Sequence, residues 1–138
     1  MTNWNDAVHG SDARWKEVQG DRDIQELYEL MRDFHDAIVV RAEWIGRDIV
    51  DERRYLLFGG LGTLLLQIQS QFADVFPAEL IFREVKRFAY SDSMDAAPDI
   101  QVTKEGVNVE MLAWTIDCTS LGYRRCLVAD EDFGLATE

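Results

Sequence analysis

The spacing of apolar residues changes partway along the chain, and the change divides it into two kinds of structure. Ile24, Leu27, Tyr28, Met31 and Phe34 recur at intervals of three and four, which stacks them on one face of a 3.6-residue helix. Asp23 stands just before this run with Glu26 three residues on. In that arrangement an N-cap carboxylate and a returning side chain satisfy free N–H groups of the first turn. Past Asp36 the period falls to two. Ile38, Val40, Ala42 and Trp44 then share one face, and Val39, Arg41, Glu43 and Ile45 the other. The consecutive β-branched residues Ile38, Val39 and Val40 are stiff at χ1 and suit a pleated strand. The pattern predicts a helix over 23–34 and a strand over 37–45, joined at Phe34-His35-Asp36.

Gly46-Arg47-Asp48 is a turn signal. Apolar patches at 49–50 and 55–58 flank the charged run Asp51-Glu52-Arg53-Arg54, a pattern open to either a hairpin arm or a short helical turn. Gly59-Gly60-Leu61-Gly62 lacks both the Lys-Ser/Thr ending of a phosphate loop and the dinucleotide spacing, so it reads as a glycine turn or bulge feeding a strand. Leu64, Leu66, Ile68, Ser70 and Phe72 alternate with Leu65, Gln67, Gln69 and Gln71. This predicts a strand with one face on the core and a glutamine-rich face near water. Residues 78–90 admit a helix opened by Pro77 or, preferred here, a strand with a bulge near Arg83-Glu84.

A loop over 91–98 precedes what reads as a meander. Its parts are a short strand over 100–103, a turn at Lys104-Glu105-Gly106, a long strand over 107–118, a turn at Gly122 and a last strand over 123–129. The acidic tail Asp130-Glu131-Asp132 then leaves the sheet. The expected fold is α+β, an N-terminal amphipathic helix packed on a mainly antiparallel sheet of about five to seven strands. Residues 1–20, with Trp4 and Trp15, form an N-terminal arm, and residues 21–138 a single α+β domain.

The 138 residues are enough for a core that stands without staples. Fourteen basic residues against 26 acidic ones leave a net charge of −12. That disfavours nucleic acid and anionic membrane, whose phosphates would repel the chain; the same charge reads either as a means of solubility or as attraction for a basic protein partner. Residues 1–20 carry no basic segment followed by an apolar run, and the near-apolar stretch 55–66 is too short to span a bilayer as a helix. The expectation is a soluble cytoplasmic protein.

Catalytic signals are sparse. The two histidines are His9 and His35. His35 beside Asp36 could form an oriented base, but no serine or cysteine is placed as its nucleophile. The competing structural role is to close the helix and fix the turn into the strand. No Cys/His cluster has zinc spacing, and the aspartates of 91–99 miss the calcium-loop pattern. Cys118 and Cys126 lie symmetrically about Gly122, which predicts two adjacent thiols, kept free in a reducing compartment. The binding candidates are therefore His35, Asp36 and Trp44, with no catalytic residue, metal or cofactor assigned. An unpaired sheet edge also invites a homodimer.

The order helix, Phe34-His35-Asp36, alternating strand, second alternating strand over 64–72, Phe82-Arg83-Glu84-Val85 and C-terminal strand pair resembles a group of small bacterial proteins. These include uncharacterised domains and immunity-type proteins thought to neutralise toxins. The resemblance spans roughly residues 24–130. It implies an interaction role, with no catalytic residues to carry over. The alternative is a small enzyme that uses His35 and Asp36 with carboxylates from another strand.

Overall fold

The β-branched run that starts at Ile38 is extended, as its stiff side chains favour, in a strand that covers Ala37–Ile45. The computed structural model describes residues 15–57, 60–72, 75, 77–91 and 97–125. They contain one α-helix, α1 (Asp21–Leu30), and eleven strands. The strands are β1 (Lys16–Glu17), β2 (Ala37–Ile45), β3 (Ile49–Val50), β4 (Leu56–Leu57), β5 (Gly62–Ser70), β6 (Ala78–Val85), β7 (Arg87–Tyr90), β8 (Asp99–Thr103), β9 (Gly106–Met111), β10 (Trp114–Cys118) and β11 (Ser120–Arg125). Expectations about Trp4, His9, Gly59, Cys126 and the acidic tail lie outside the described residues.

The protein is α+β and mostly β, but in place of one sheet of five to seven strands there are two. One has the order β1-β11-β6-β5-β2 and the other β7-β10-β9-β8, and all their pairings are antiparallel. A separate ribbon pairs β3 with β4, so residues 49–57 form a hairpin arm. The split arises where two neighbouring strands bend together. Glu84, at φ 53°, ends β6 in a left-handed kink. The chain re-emerges as β7 in the other sheet, and the Lys86 N–H donates to the Asp117 carbonyl at 2.8 Å. Beside it Thr119 carries β10 into β11, its N–H bonded to the Arg83 carbonyl at 3.0 Å. The expected bulge near Arg83-Glu84 is this corner.

One expected strand and one expected turn are corrected. The long strand over 107–118 is a hairpin, β9 and β10, reversed at Leu112 and Ala113 with φ 48° and 75°. Gly122 is not a turn but the middle of β11, paired with Glu17 on one side and Ile81 on the other. A Cβ at Gly122 would lie 3.1 Å from Ile81 Cγ2, so the glycine permits close packing rather than reversal. Without a turn there, the geometric reason for Cys118 to face Cys126 disappears.

The helix also differs in its ends. Gly20 occupies the N-cap without a side-chain bond, and Asp23, inside the first turn, reaches back to accept the Gln19 N–H at 2.9 Å. The helix stops at Leu30. Arg32, Asp33 and Phe34 form a tight turn with φ of 50°, 57° and 58°, which still delivers Phe34 to the interior. Ile24, Leu27, Met31 and Phe34 are buried, and full burial of such side chains is worth about 1.5–3 kcal/mol each.

The main core forms where this apolar face meets one face of the five-stranded sheet (Leu64, Leu66, Ile68, Leu80, Phe82, Leu121) and the inner face of the other sheet (Ile100, Val107, Val109, Ile116). The opposite face of the five-stranded sheet is not wet. Leu65 and Ile81 form a second cluster with Trp15 and Ile45 against it. Gln67 and Glu79 are fully buried and paired across the strands, and Glu79 sits opposite Arg124. The glutamine face expected near water is thus interior over Gln67.

Candidate functional site

Of the expected site residues, His35 and Asp36 lie just before β2 begins and Trp44 near its end. The structure does not bring them together.

At the first end, His35 Nε2 lies 3.2 Å from Asp36 Oδ2, with both side chains largely in solvent. Asp36 takes φ 55°, and its backbone carbonyl and carboxylate accept from the N–H and side-chain amide of Gln71 at 3.1 and 3.3 Å. The His35 ring stacks on Phe72 at 6.2 Å, and the Arg32 guanidinium lies 5.0 Å from the same ring. These contacts tie the end of the helix to the end of β5. They fix a turn.

At the second end the chain is built to expose aromatic surface. β2 is the last strand of the five-stranded sheet and β7 the last of the other. Trp44 lies across β5 at Gly62, where a Cβ would fall 2.5 Å from the indole and 2.7 Å from the Ile45 carbonyl. Only glycine lets the ring rest flat there. Trp44 meets Phe88 of β7 at 5.0 Å, Phe88 meets Trp114 at 6.1 Å, and Trp114 meets Tyr90 at 5.3 Å. Four rings therefore run continuously between the two free sheet edges, in tilted and stacked geometries favoured by ring quadrupoles. They are not sealed: Trp44 is 46% exposed, Phe88 39% and Tyr90 65%.

Beside the rings runs a groove of about 550 Å³, with β2 residues 38–42 on one side and Tyr90, Leu112 and Trp114 on the other. Leu112 reaches it from the two-residue turn whose residues both have positive φ. Such turns ordinarily take asparagine and glycine, and a leucine held there stores on the order of 1 kcal/mol of strain. Ser91 N–H steadies the turn through the Ala113 carbonyl at 2.8 Å. On β2 itself the Glu43 carboxylate oxygen Oε2 has no hydrogen-bond partner among the described residues. Ile38, on the same strand, is 54% exposed.

The β2–β5 register decides which β2 side chains share a face. The pairing slips between Val39 and Arg41, so Ala37, Val39, Ala42 and Trp44 face the main core side, while Ile38, Arg41 and Glu43 share the opposite face with Leu65 and Gln67. Ile38 and Trp44, read from alternation as sharing a face, are separated by this extra residue.

Two further features frame the site. On the outer face of the four-stranded sheet a shallow depression of about 430 Å³ is bordered by Arg87, Asn108, Glu110 and Asp117, and Arg87 lies 3.9 Å from Asp117. Behind the corner, Cys118 is a buried free thiol near the carbonyls of Val107 and Ser120. Burial, then the nearby Asp117 charge, pushes it up to about 12, so it is not a poised nucleophile. Among the described residues no group of three or more His, Cys, Asp and Glu could hold a metal ion, and no helix is long and apolar enough to cross a membrane.

Phe88, Tyr90, Leu112 and Trp114 are the site residues that sequence reasoning passed over. The signal was there as alternating aromatics at 88 and 90 and a tryptophan at 114, but only the β7–β10 register, which sets Tyr90 opposite Trp114, joins them. No family model matches this chain, and comparisons with curated proteins and with solved structures returned no significant match.

Proposed function

We propose that this chain is a binding protein that captures a basic protein partner on the aromatic seam between β2 and β7, in the manner of an immunity-type protein that masks its target. The observation that carries the reading is the run of four touching rings, left substantially in water and bordered by a strand edge. Exposed aromatic surface of this kind is what interface centres are made of. The net charge of −12 supplies long-range attraction and orientation for a cationic partner. His35 and Asp36 fit a structural part in this reading, since both engage the turn into β2 and neither borders the groove.

The test is affinity capture on immobilised protein with elution by a salt gradient. The expected result is one predominant basic protein, released as ionic strength rises, and absent when the bait is the double variant Trp44→Ala, Trp114→Ala. Capture of the same proteins by that variant, or capture indifferent to salt, would overturn the reading.

A further inference from the structure

We infer that the partner engages this seam by adding a strand to the free edge of β2, as an extended segment whose cationic side chains lie over Trp114 and Tyr90. The inference rests on the binding reading above and specifies its mode. Three observations carry it.

The first is the edge. β2 is nine residues long and bonded on one side to β5, and no described strand pairs with its other side. A row of backbone N–H and C=O groups is thereby offered to an incoming chain. Exposed edges are ordinarily shortened or covered, whereas this one runs beside a groove and carries exposed Ile38 and Trp44.

The second is fit. Residues 38–42 border the groove over a length of about 16 Å at roughly 3.3 Å per residue, room for about five extended residues. Side chains of an added strand would alternate. One set would enter the groove against Leu112, Trp114 and Tyr90, and the other would lie on the opposite face of the strand, the face of Glu43, whose buried Oε2 has no hydrogen-bond partner among the described residues.

The third is charge. Ring faces attract cations, and a guanidinium also stacks on them through its plane. The chain already makes this contact elsewhere, with Arg124 centred 4.0 Å over Trp15 and Arg32 5.0 Å over Phe72. A second copy of this chain would bring another −12 to the same edge, so like-charge repulsion disfavours it as the occupant. An arginine-bearing segment is instead attracted by the net charge, with Arg41 the one like charge among the residues that line the groove.

The experiment uses a fluorescent peptide in which arginine alternates with threonine, titrated with the full chain and followed by anisotropy. Three controls accompany it: glutamate in place of arginine, the arginine peptide N-methylated along its backbone, and the Trp114→Ala protein. The expected result is binding at least tenfold tighter for the arginine peptide than for the glutamate one, with at least a tenfold loss on N-methylation and on Trp114→Ala. Arginine-dependent binding that survives N-methylation would overturn strand addition and leave the binding reading standing. Equal binding of the arginine and glutamate peptides would overturn both. Sedimentation showing a dimer that is lost with Trp114→Ala would assign the edge to a second copy and overturn the inference.

Discussion

The two ends of β2 are built from similar residue types to opposite effect. At its start an imidazole and a guanidinium gather at the Phe72 ring, and Asp36 bonds back to Gln71, so these side chains are engaged locally. At its finish four aromatic rings touch one another, yet two of them remain about half or more exposed, beside a groove bordered by β2, whose outer side pairs with no described strand. The first end consumes its chemistry in holding the chain together. The second leaves apolar surface exposed and, among the described residues, one side of β2 without a strand partner, which is why the binding proposal is placed there. A histidine next to an aspartate is therefore a weaker guide to function here than a tryptophan lying on a glycine.

The contrast can be broken or sharpened by substitution. The largest effect is expected midway along the sheet and sets the scale for both ends. Glu79→Ala removes the carboxylate 3.4 Å from the buried Arg124 guanidinium, and should destabilise by about 3–5 kcal/mol, the usual cost of taking one partner out of a buried ion pair. Denaturant midpoints check this. A value near zero would mean that water reaches the pair.

Next comes Gly62→Ala, which forces a methyl into the space of the Trp44 ring. Overpacking of this kind should remove about 1–3 kcal/mol and shift the tryptophan emission as the indole is displaced. Unchanged emission would show that Trp44 does not rest on Gly62.

The same contrast repeats along β10, open at Trp114 and closed at Cys118. The thiol ionises near 9.0 ordinarily but near 12 when folded. Its contribution to stability is therefore fully present below about pH 9 and lost as pH rises toward 12, with a slope of at most about 1.4 kcal/mol per pH unit. Tyr28 and Tyr123, also raised by burial, act in the same direction at higher pH. Cys118→Val should flatten the onset of the alkaline decline in denaturant melts. A decline with the same onset and slope in the variant would exclude the thiol as its source.

The smallest effect is expected at His35. The side chain is 73% exposed, and His35→Ala should change stability by no more than about 0.5 kcal/mol.

How much of this was legible beforehand follows from which forces are local. Strand β2 was readable to the residue because β-branched stiffness acts within the chain, and the hairpin at Lys104 and Glu105 because its turn residues announce themselves. The β9–β10 turn was not, because Leu112 and Ala113 carry none of the usual signals for positive φ. Gly122 misled in the other direction. Its missing side chain serves the approach of Ile81, a contact 41 positions away in sequence by the pairing of residues 81 and 122. Alternation along β5 correctly marked a strand but not the burial of Gln67, which depends on what lies across the second face. The site was half visible for the same reason: Trp44 could be named from its place on β2, whereas its ring neighbours required the fold to close.

The comparison between the two ends of β2 is tested most directly by titrating the arginine–threonine peptide against wild type, His35→Ala and Trp44→Ala in parallel. The account predicts wild-type affinity for His35→Ala and at least a tenfold loss for Trp44→Ala, with both variants folded by circular dichroism. Loss of binding in His35→Ala with full binding in Trp44→Ala would contradict it and move the functional site to the start of β2.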